Sequence, residues 1–309
     1  MSGIVLITGG SGFLAQHLIR ELQTGYADKV KEIRTVDKRP FKQNIDWPHN
    51  VPIGNIVGDC GSMMEMKDAI CGSSDGCVFA NERPEIVFHL ASHNLPLTMT
   101  WNTKQIRHDC FEATLTLTEL MLEHSVPFFV HVSDALAISH TPDIQGLGEF
   151  LSSDGSVNGK YYHGPIARLK VQAELIAKSY NGKVMKNGKF VSVAIVRPGI
   201  LYGEADRWIA PYIFDLCRSY DMLPYIGDGN SMLQLTYAGN VAHMLCILMK
   251  KLKNNPTLAG EAFFCTDSKP PEHSFTYFSK LADIGNFPTK PLPGQCHILC
   301  LALWVMQIL

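Results

Sequence analysis

Ile4-Val5-Leu6-Ile7-Thr8-Gly9-Gly10-Ser11-Gly12-Phe13-Leu14-Ala15 is an apolar run that breaks into glycines and then resumes with apolar residues at helical spacing. It reads as a strand, a tight turn and the start of a helix. Gly9 and Gly10 let the backbone turn where a Cβ would collide. Gly12 lets a diphosphate approach the free N–H groups of the following helix, in a turn that also holds Ser11, Phe13 and Leu14. A dinucleotide suits such a turn, but glycine-rich turns also occur where they bind nothing, so the surrounding residues decide.

Leu14, Leu18 and Leu22 continue the helix, and Glu32 to Asp37 forms a second strand, giving a β-α-β start. Asp37 falls 22 residues beyond Ala15, where an acidic residue at a strand end grips the adenosine ribose hydroxyls. That favours NAD over NADP. Two alternatives stay open: Asp37 as a solvated turn residue, and Lys38 with Arg39 as the holders of a 2′-phosphate.

Val51 to Gly58 and Ile86 to Leu90 read as strands buried on both faces, as in a parallel sheet. Lys104 to His124 reads as a long helix with Ile106, Cys110, Ala113, Leu117 and Leu120 along one face, followed by a strand from Phe128 to Ser133. Pro142 to Gly159 reads as a loop over the mouth of the sheet. The next helix buries Ile166, Leu169, Ala173 and Ile176 and carries Lys170 and Glu174 as an i,i+4 pair. Phe190 to Val196 is a strand ending at Arg197-Pro198-Gly199. Beyond Gly203 the rhythm loosens into helices at Trp208 to Tyr220 and Asn240 to Leu252, with strands near Leu233 to Tyr237 and at Ala262 to Cys265, which suggests a smaller lobe.

The chain has 27 basic and 29 acidic residues and no basic cluster longer than that around Lys38-Arg39, so nothing in its charge favours nucleic acid and a small-molecule partner is expected. Its nine cysteines are odd in number and lack C-x-x-C spacing, which supports neither a disulfide framework nor a metal site and suggests reduced thiols facing the cytosol. No signal peptide or myristoylation signal is read at Met1-Ser2. From Ile298 to Leu309 only Gln307 is not apolar, a run shorter than the roughly 20 residues that cross a bilayer. It reads either as a last core helix or as a membrane-associating segment. Repeats and low-complexity tracts are absent.

Taken together, the motifs resemble those of an extended short-chain dehydrogenase/reductase, and within that group the 3β-hydroxysteroid dehydrogenase/isomerase family. The likeness rests on T-G-G-S-G-F-L-A at Thr8 to Ala15, E-I-R-T-V-D at Glu32 to Asp37, G-D at Gly58-Asp59 and V-F-H-L-A-S at Val87 to Ser92. It continues with S-V-P-F-F-V-H-V-S at Ser125 to Ser133, K-V-Q-A-E at Lys170 to Glu174, R-P-G-I-L-Y-G at Arg197 to Gly203 and Y-A-G-N-V-A-H at Tyr237 to His243. The resemblance implies an α/β fold, a doubly wound parallel (Rossmann) sheet over residues 1–200 that binds NAD. A smaller lobe over 201–291, interleaved with the first, would close on a steroid or sterol-like substrate, and 292–309 would touch a membrane. It further implies cofactor contacts at Asp59, Leu90, Ala91, Lys170, Arg197 and Pro198 beside the glycine turn and Asp37, association with the endoplasmic reticulum, and a homodimer.

In this family a tyrosine four residues before a lysine takes the hydroxyl proton, the lysine lowers its pKa, and a serine or threonine orients the substrate oxygen. By resemblance Ser133 is that serine and Lys170 that lysine, yet the tyrosine position is Ile166, which cannot carry a proton. Tyr161, Tyr162 and His163 lie in the preceding loop as candidate substitutes or as rim residues. Cys110 stands where the family has an asparagine: a lost polar orienter, or a buried thiol. Ala15 replaces the third glycine at a position that mainly sets helix packing. His89 reads as packing and His93 as a pocket residue. Two functions follow: an NAD-dependent oxidoreductase acting on a CH–OH group, or a nucleotide-binding pseudoenzyme with a regulatory or scaffold role.

Overall fold

The computed structural model describes residues 3–93, 102–138, 161, 164–225 and 232–291. The chain begins with β1 (Gly3–Thr8), α1 (Phe13–Gly25), β2 (Val30–Asp37), β3 (Ile53–Val57), α2 (Met63–Cys71) and β4 (Ile86–His89). A continuous helical run follows: α3 (Thr103–Ile106), a π-helical turn (Arg107–Glu112) and α4 (Ala113–His124). Then come β5 (Phe128–Val132), α5 (Gly164–Ser179), β6 (Ser192–Pro198), β7 (Ile200–Tyr202), α6 (Ile209–Tyr220) and β8 (Leu223–Tyr225). The rest is β9 (Met232–Leu233), β10 (Leu235–Tyr237), α7 (Ala238–Leu252), β11 (Ala262–Cys265), β12 (Glu272–His273), α8 (Ser274–Ile284) and β13 (Thr289–Pro291).

Seven strands form one parallel sheet in the order β11-β6-β5-β4-β1-β2-β3. The order reverses direction between β1 and β4, which creates a crevice at the carboxyl ends of the strands where ligands of such sheets sit. Both faces are covered, which is why the central strands β1, β4 and β5 are mostly apolar rather than alternating. Leu14, Leu18 and Leu22 of α1 pack with Val241 and Leu245 of α7 on one face. Met66 and Ile70 of α2 pack with Leu117 and Leu120 of α4 and Ala177 of α5 on the other.

Three local expectations change. The long helix forms, and Ile106, Cys110, Ala113, Leu117 and Leu120 are all buried, but it passes through a wider turn between Arg107 and Glu112. Strand β6 starts two residues later and runs through Arg197 and Pro198, while Phe190 points outward, 65% exposed. Lys170 and Glu174 do not pair: Glu174 is buried against Arg197 of β6, and Lys170 reaches Asp134. Burial decides this, because a carboxylate turned into the core needs a guanidinium that can bond it twice.

The stretch 201–291 packs around Ile213, Cys217, Leu223 and Ala282, from α6, β8 and α8, and yet returns to the main sheet through α7 and β11. Among the described residues no helix is long and apolar enough to cross a membrane. The Pro142 to Gly159 loop and the 292–309 tail lie outside the described residues.

Candidate active site at the carboxyl edge of the sheet

Gly9 has φ +70°, and a Cβ there would stand 2.8 Å from the Ala91 backbone nitrogen; a Cβ on Gly10 would stand 2.4 Å from Thr35 Cβ. Both positions therefore require glycine, since the turn is pressed between the ends of β2 and β4. Gly12 is the N-cap of α1 and contributes no side-chain cap, so the first N–H groups of this helix keep their capacity for an anion. The structure thus brings Gly9 to Leu14 together with Leu90 and Ala91, and Leu90 N–H bonds Thr8 O at 3.2 Å.

Asp37 closes this turn. Its Oδ2 accepts from Ser11 N–H at 3.1 Å and its Oδ1 from Arg39 N–H at 2.9 Å, with Arg39 Nε at 3.3 Å. Asp59, at the end of β3, accepts from Gly61 N–H at 2.8 Å, His108 Nε2 at 2.9 Å and Lys38 Nζ at 3.2 Å. Its burial works to raise the carboxyl pKa, but these donors outweigh burial and lower it.

Under the glycine turn lies a neutral histidine whose tautomer follows from its partners. Thr114 hydroxyl donates to Cys110 O at 2.7 Å, so His89 Nε2–H donates to Thr114 Oγ1 at 3.0 Å and His89 Nδ1 accepts from Thr8 hydroxyl at 2.7 Å. Burial, aided by His131, holds the His89 pKa well below its usual value. His89 is therefore a packing residue, as read from the sequence. His93 bonds Asp109 through Nδ1 at 3.1 Å, and Cys110 lies 3.5 Å from both Ser92 Oγ and His93 N while remaining 3% exposed.

At the end of β5, Ser133 is held by its N–H to Val196 O at 2.8 Å. Its hydroxyl is buried and has no hydrogen-bond partner among the described residues. The next residue, Asp134, accepts from Lys170 Nζ at 3.2 Å, with the lysine side chain 13% exposed. Sequence reasoning missed Asp134; its only signal was its place directly after Ser133. His131, one pleat below Ser133, is pushed down to about 3 by burial and by the Lys170 charge, and stays neutral.

Ile166 is 1% exposed in an apolar cluster with Ile106, Cys110 and Leu169. Tyr161 packs on Ala137, Ile138 and Val171 and also lines a cavity of about 680 Å³ with Arg107, Pro165 and Arg168. Tyr162 and His163 lie outside the described residues. Arg197 is 1% exposed and bonds Glu174 through Nε at 3.0 Å and through a second nitrogen. It ties β6 to α5 beneath Lys170, and Pro198 follows it opposite Cys265. No group of three or more metal-ligating side chains occurs among the described residues.

The residues fit a dinucleotide. Glycines leave a cradle that a Cβ would fill, a helix start is free, a carboxylate stands at the β2 end, and a buried hydroxyl at the β5 end lacks a partner.

Known proteins share this fold and sequence pattern. A crystal structure of DesIV, a dTDP-glucose 4,6-dehydratase from Streptomyces venezuelae with NAD bound, superposes with a TM-score of 0.71 at 18% identity, covering 94% of this chain and 84% of that one. The human sterol-4-alpha-carboxylate 3-dehydrogenase, decarboxylating, is 26% identical over 265 residues, which are 85% of this chain and 62% of the human protein's length. The monkeypox virus 3 beta-hydroxysteroid dehydrogenase/Delta 5-->4-isomerase is 23% identical over 269 residues, 86% of this chain and 72% of that one. The sequence model of the 3-beta hydroxysteroid dehydrogenase/isomerase family matches residues 6–287.

Proposed function

The chain belongs to the 3-beta hydroxysteroid dehydrogenase/isomerase family, and on that premise we propose that it is an NAD-dependent oxidoreductase acting on the CH–OH carbon of a sterol-like substrate. The observation that carries this reading is the convergence on one sheet edge of the glycine turn, Asp37 and the Lys170–Asp134 pair beside Ser133. NAD, when bound, supplies the hydride acceptor. Gly9 to Leu14 would hold its diphosphate and Asp37 its adenosine ribose.

Ser133 and Lys170 would face the reacting carbon. The Lys170 ammonium is anchored by Asp134 and so is held in one place. Ile166 offers no proton acceptor, and its side chain is committed to an apolar cluster. Asp134 touches Lys170 beside Ser133, and we assign it as the group that would accept the hydroxyl proton. Loss of the tyrosine lowers the rate, by about 10²- to 10⁴-fold for a full loss of general-base catalysis.

The test combines NADH binding, read by fluorescence, with steroid turnover by the wild type, Ile166→Tyr and Asp134→Asn. The expected result is NADH binding by all three, slow turnover by the wild type, faster turnover by Ile166→Tyr and none by Asp134→Asn. Binding without turnover until tyrosine is restored would instead favour the nucleotide-binding pseudoenzyme, which the apolar setting of Ile166 makes a definite rival. Absence of NADH binding would overturn both.

A further inference from the structure

Lys38 follows Asp37 directly, at the place where a cation would take the 2′-phosphate of NADP. It is not left to do so. Lys38 Nζ lies 2.7 Å from Asp109 Oδ1 and 3.2 Å from Asp59 Oδ2, and the neighbouring Arg39 is turned onto Asp37. Asp109 is itself fixed by His93 Nδ1 at 3.1 Å and Gln105 Nε2 at 2.7 Å. Burial works to raise its carboxyl pKa, and the donors from Lys38, His93 and Gln105 overcome that and lower it, so it stays a carboxylate.

Asp109 belongs to the π-helical turn. A π-turn places more residues in each turn, so successive side chains diverge less than in an α-helix. His108 and Asp109 consequently reach the same sheet edge, one to Asp59 and the other to Lys38.

Resting on the cofactor reading above, we propose that Asp109 is a specificity-determining residue: by drawing Lys38 away from the ribose, it keeps the site selective for NAD over NADP. Asp109 touches neither hydride nor substrate in this role; it acts through Lys38.

Binding of NADH and NADPH, each titrated by fluorescence, tests this without any turnover. In Asp109→Asn the NADPH-to-NADH affinity ratio should rise about fivefold, as expected when one of two carboxylates holding the lysine is neutralised. Adding Lys38→Met to that variant should return the ratio to the wild-type value. In the wild-type background Lys38→Met should leave the ratio within about twofold, because an engaged lysine reads no phosphate. A ratio unmoved by Asp109→Asn, a rise that survives Lys38→Met, or a fall in NADPH affinity in the single Lys38→Met variant each overturns the proposal. If Asp109→Asn does not fold, Asp109→Ser takes its place with the same ratios expected, alone and with Lys38→Met. A wild type that binds neither cofactor overturns the cofactor reading, and the selectivity claim with it; NADH binding with an unmoved ratio overturns the selectivity claim alone.

Discussion

Gly9 and Glu174 show how much can rest on one side chain or its absence. In Gly9→Ala, a Cβ at φ +70° would press on the Ala91 nitrogen at 2.8 Å, so β4 or the turn must move. Left-handed backbone alone costs about 1–2 kcal/mol for an alanine. On the proposed cofactor reading NADH affinity should fall at least about tenfold, since moving the turn would displace the helix start that would meet the diphosphate, and a fluorescence titration beside a thermal melt separates the two losses. Glu174→Ala removes the carboxylate that meets the buried Arg197 guanidinium. Removing one partner of a buried pair costs about 3–5 kcal/mol, and urea unfolding should show a loss of that order, with Glu174→Gln keeping part of it. Neither pairing was legible in the sequence. Lys170 and Glu174 are four apart, and local spacing suggests that they meet, whereas the sheet brings Asp134, just beyond β5, and Arg197 of β6 to them.

At the scale of elements, the π-turn between α3 and α4 is the feature that links the sheet's ends. His108 on this turn bonds Asp59 and Glu112, with Lys38 nearby, and its pKa is raised chiefly by the bond to Asp59. A histidine whose folded pKa lies above its unfolded value of 6.5 adds stability that is full below 6.5 and lost as pH rises through the folded pKa. The gap in melting temperature between the wild type and His108→Gln should therefore be widest near about pH 5.5 and close toward about pH 9. Thermal melts across that range check it; a gap that widens on the alkaline side would contradict the pairing. The helix itself was readable because its apolar residues recur every three or four positions. The π-turn was not, since one added residue leaves that rhythm nearly intact while changing which polar side chains face the carboxyl edge of the sheet. Strands β1 and β4 were readable for the opposite reason: burial on both faces leaves them almost no polar residues to blur the signal, and Thr8 and His89, which they do carry, satisfy each other.

The whole molecule is closed by a strand from far down the chain. β11 forms the outer edge of the sheet by pairing with β6, Ala262 opposite Ile195 and Cys265 opposite Pro198, although α6, α7 and seven short or long connections intervene. α7 likewise covers α1. A fragment of residues 1–200 would keep the glycine turn, Asp37 and Lys170 but expose the β6 edge and the α1 face. Unpaired apolar edges template aggregation, so this fragment should be insoluble, or soluble without NADH binding, as expression and size-exclusion chromatography would show. A monomeric fragment that binds NADH would mean that the sheet tolerates the loss.

The same long-range closure fixes an order of events in the making of the protein. A growing chain leaves the ribosome at about 5–20 residues per second, and β6 emerges well before the strand that shields it. During that interval Val193, Ala194, Ile195 and Val196, all wholly buried once folding ends, are an open edge on a half-built sheet. Residues 201–261 are synthesised within that window, so the β6 edge stays uncovered until residue 265 has appeared. Slowing synthesis through codons 200–265 should therefore lower the soluble yield of a fold whose glycine turn lies in its first dozen residues, as soluble expression would show.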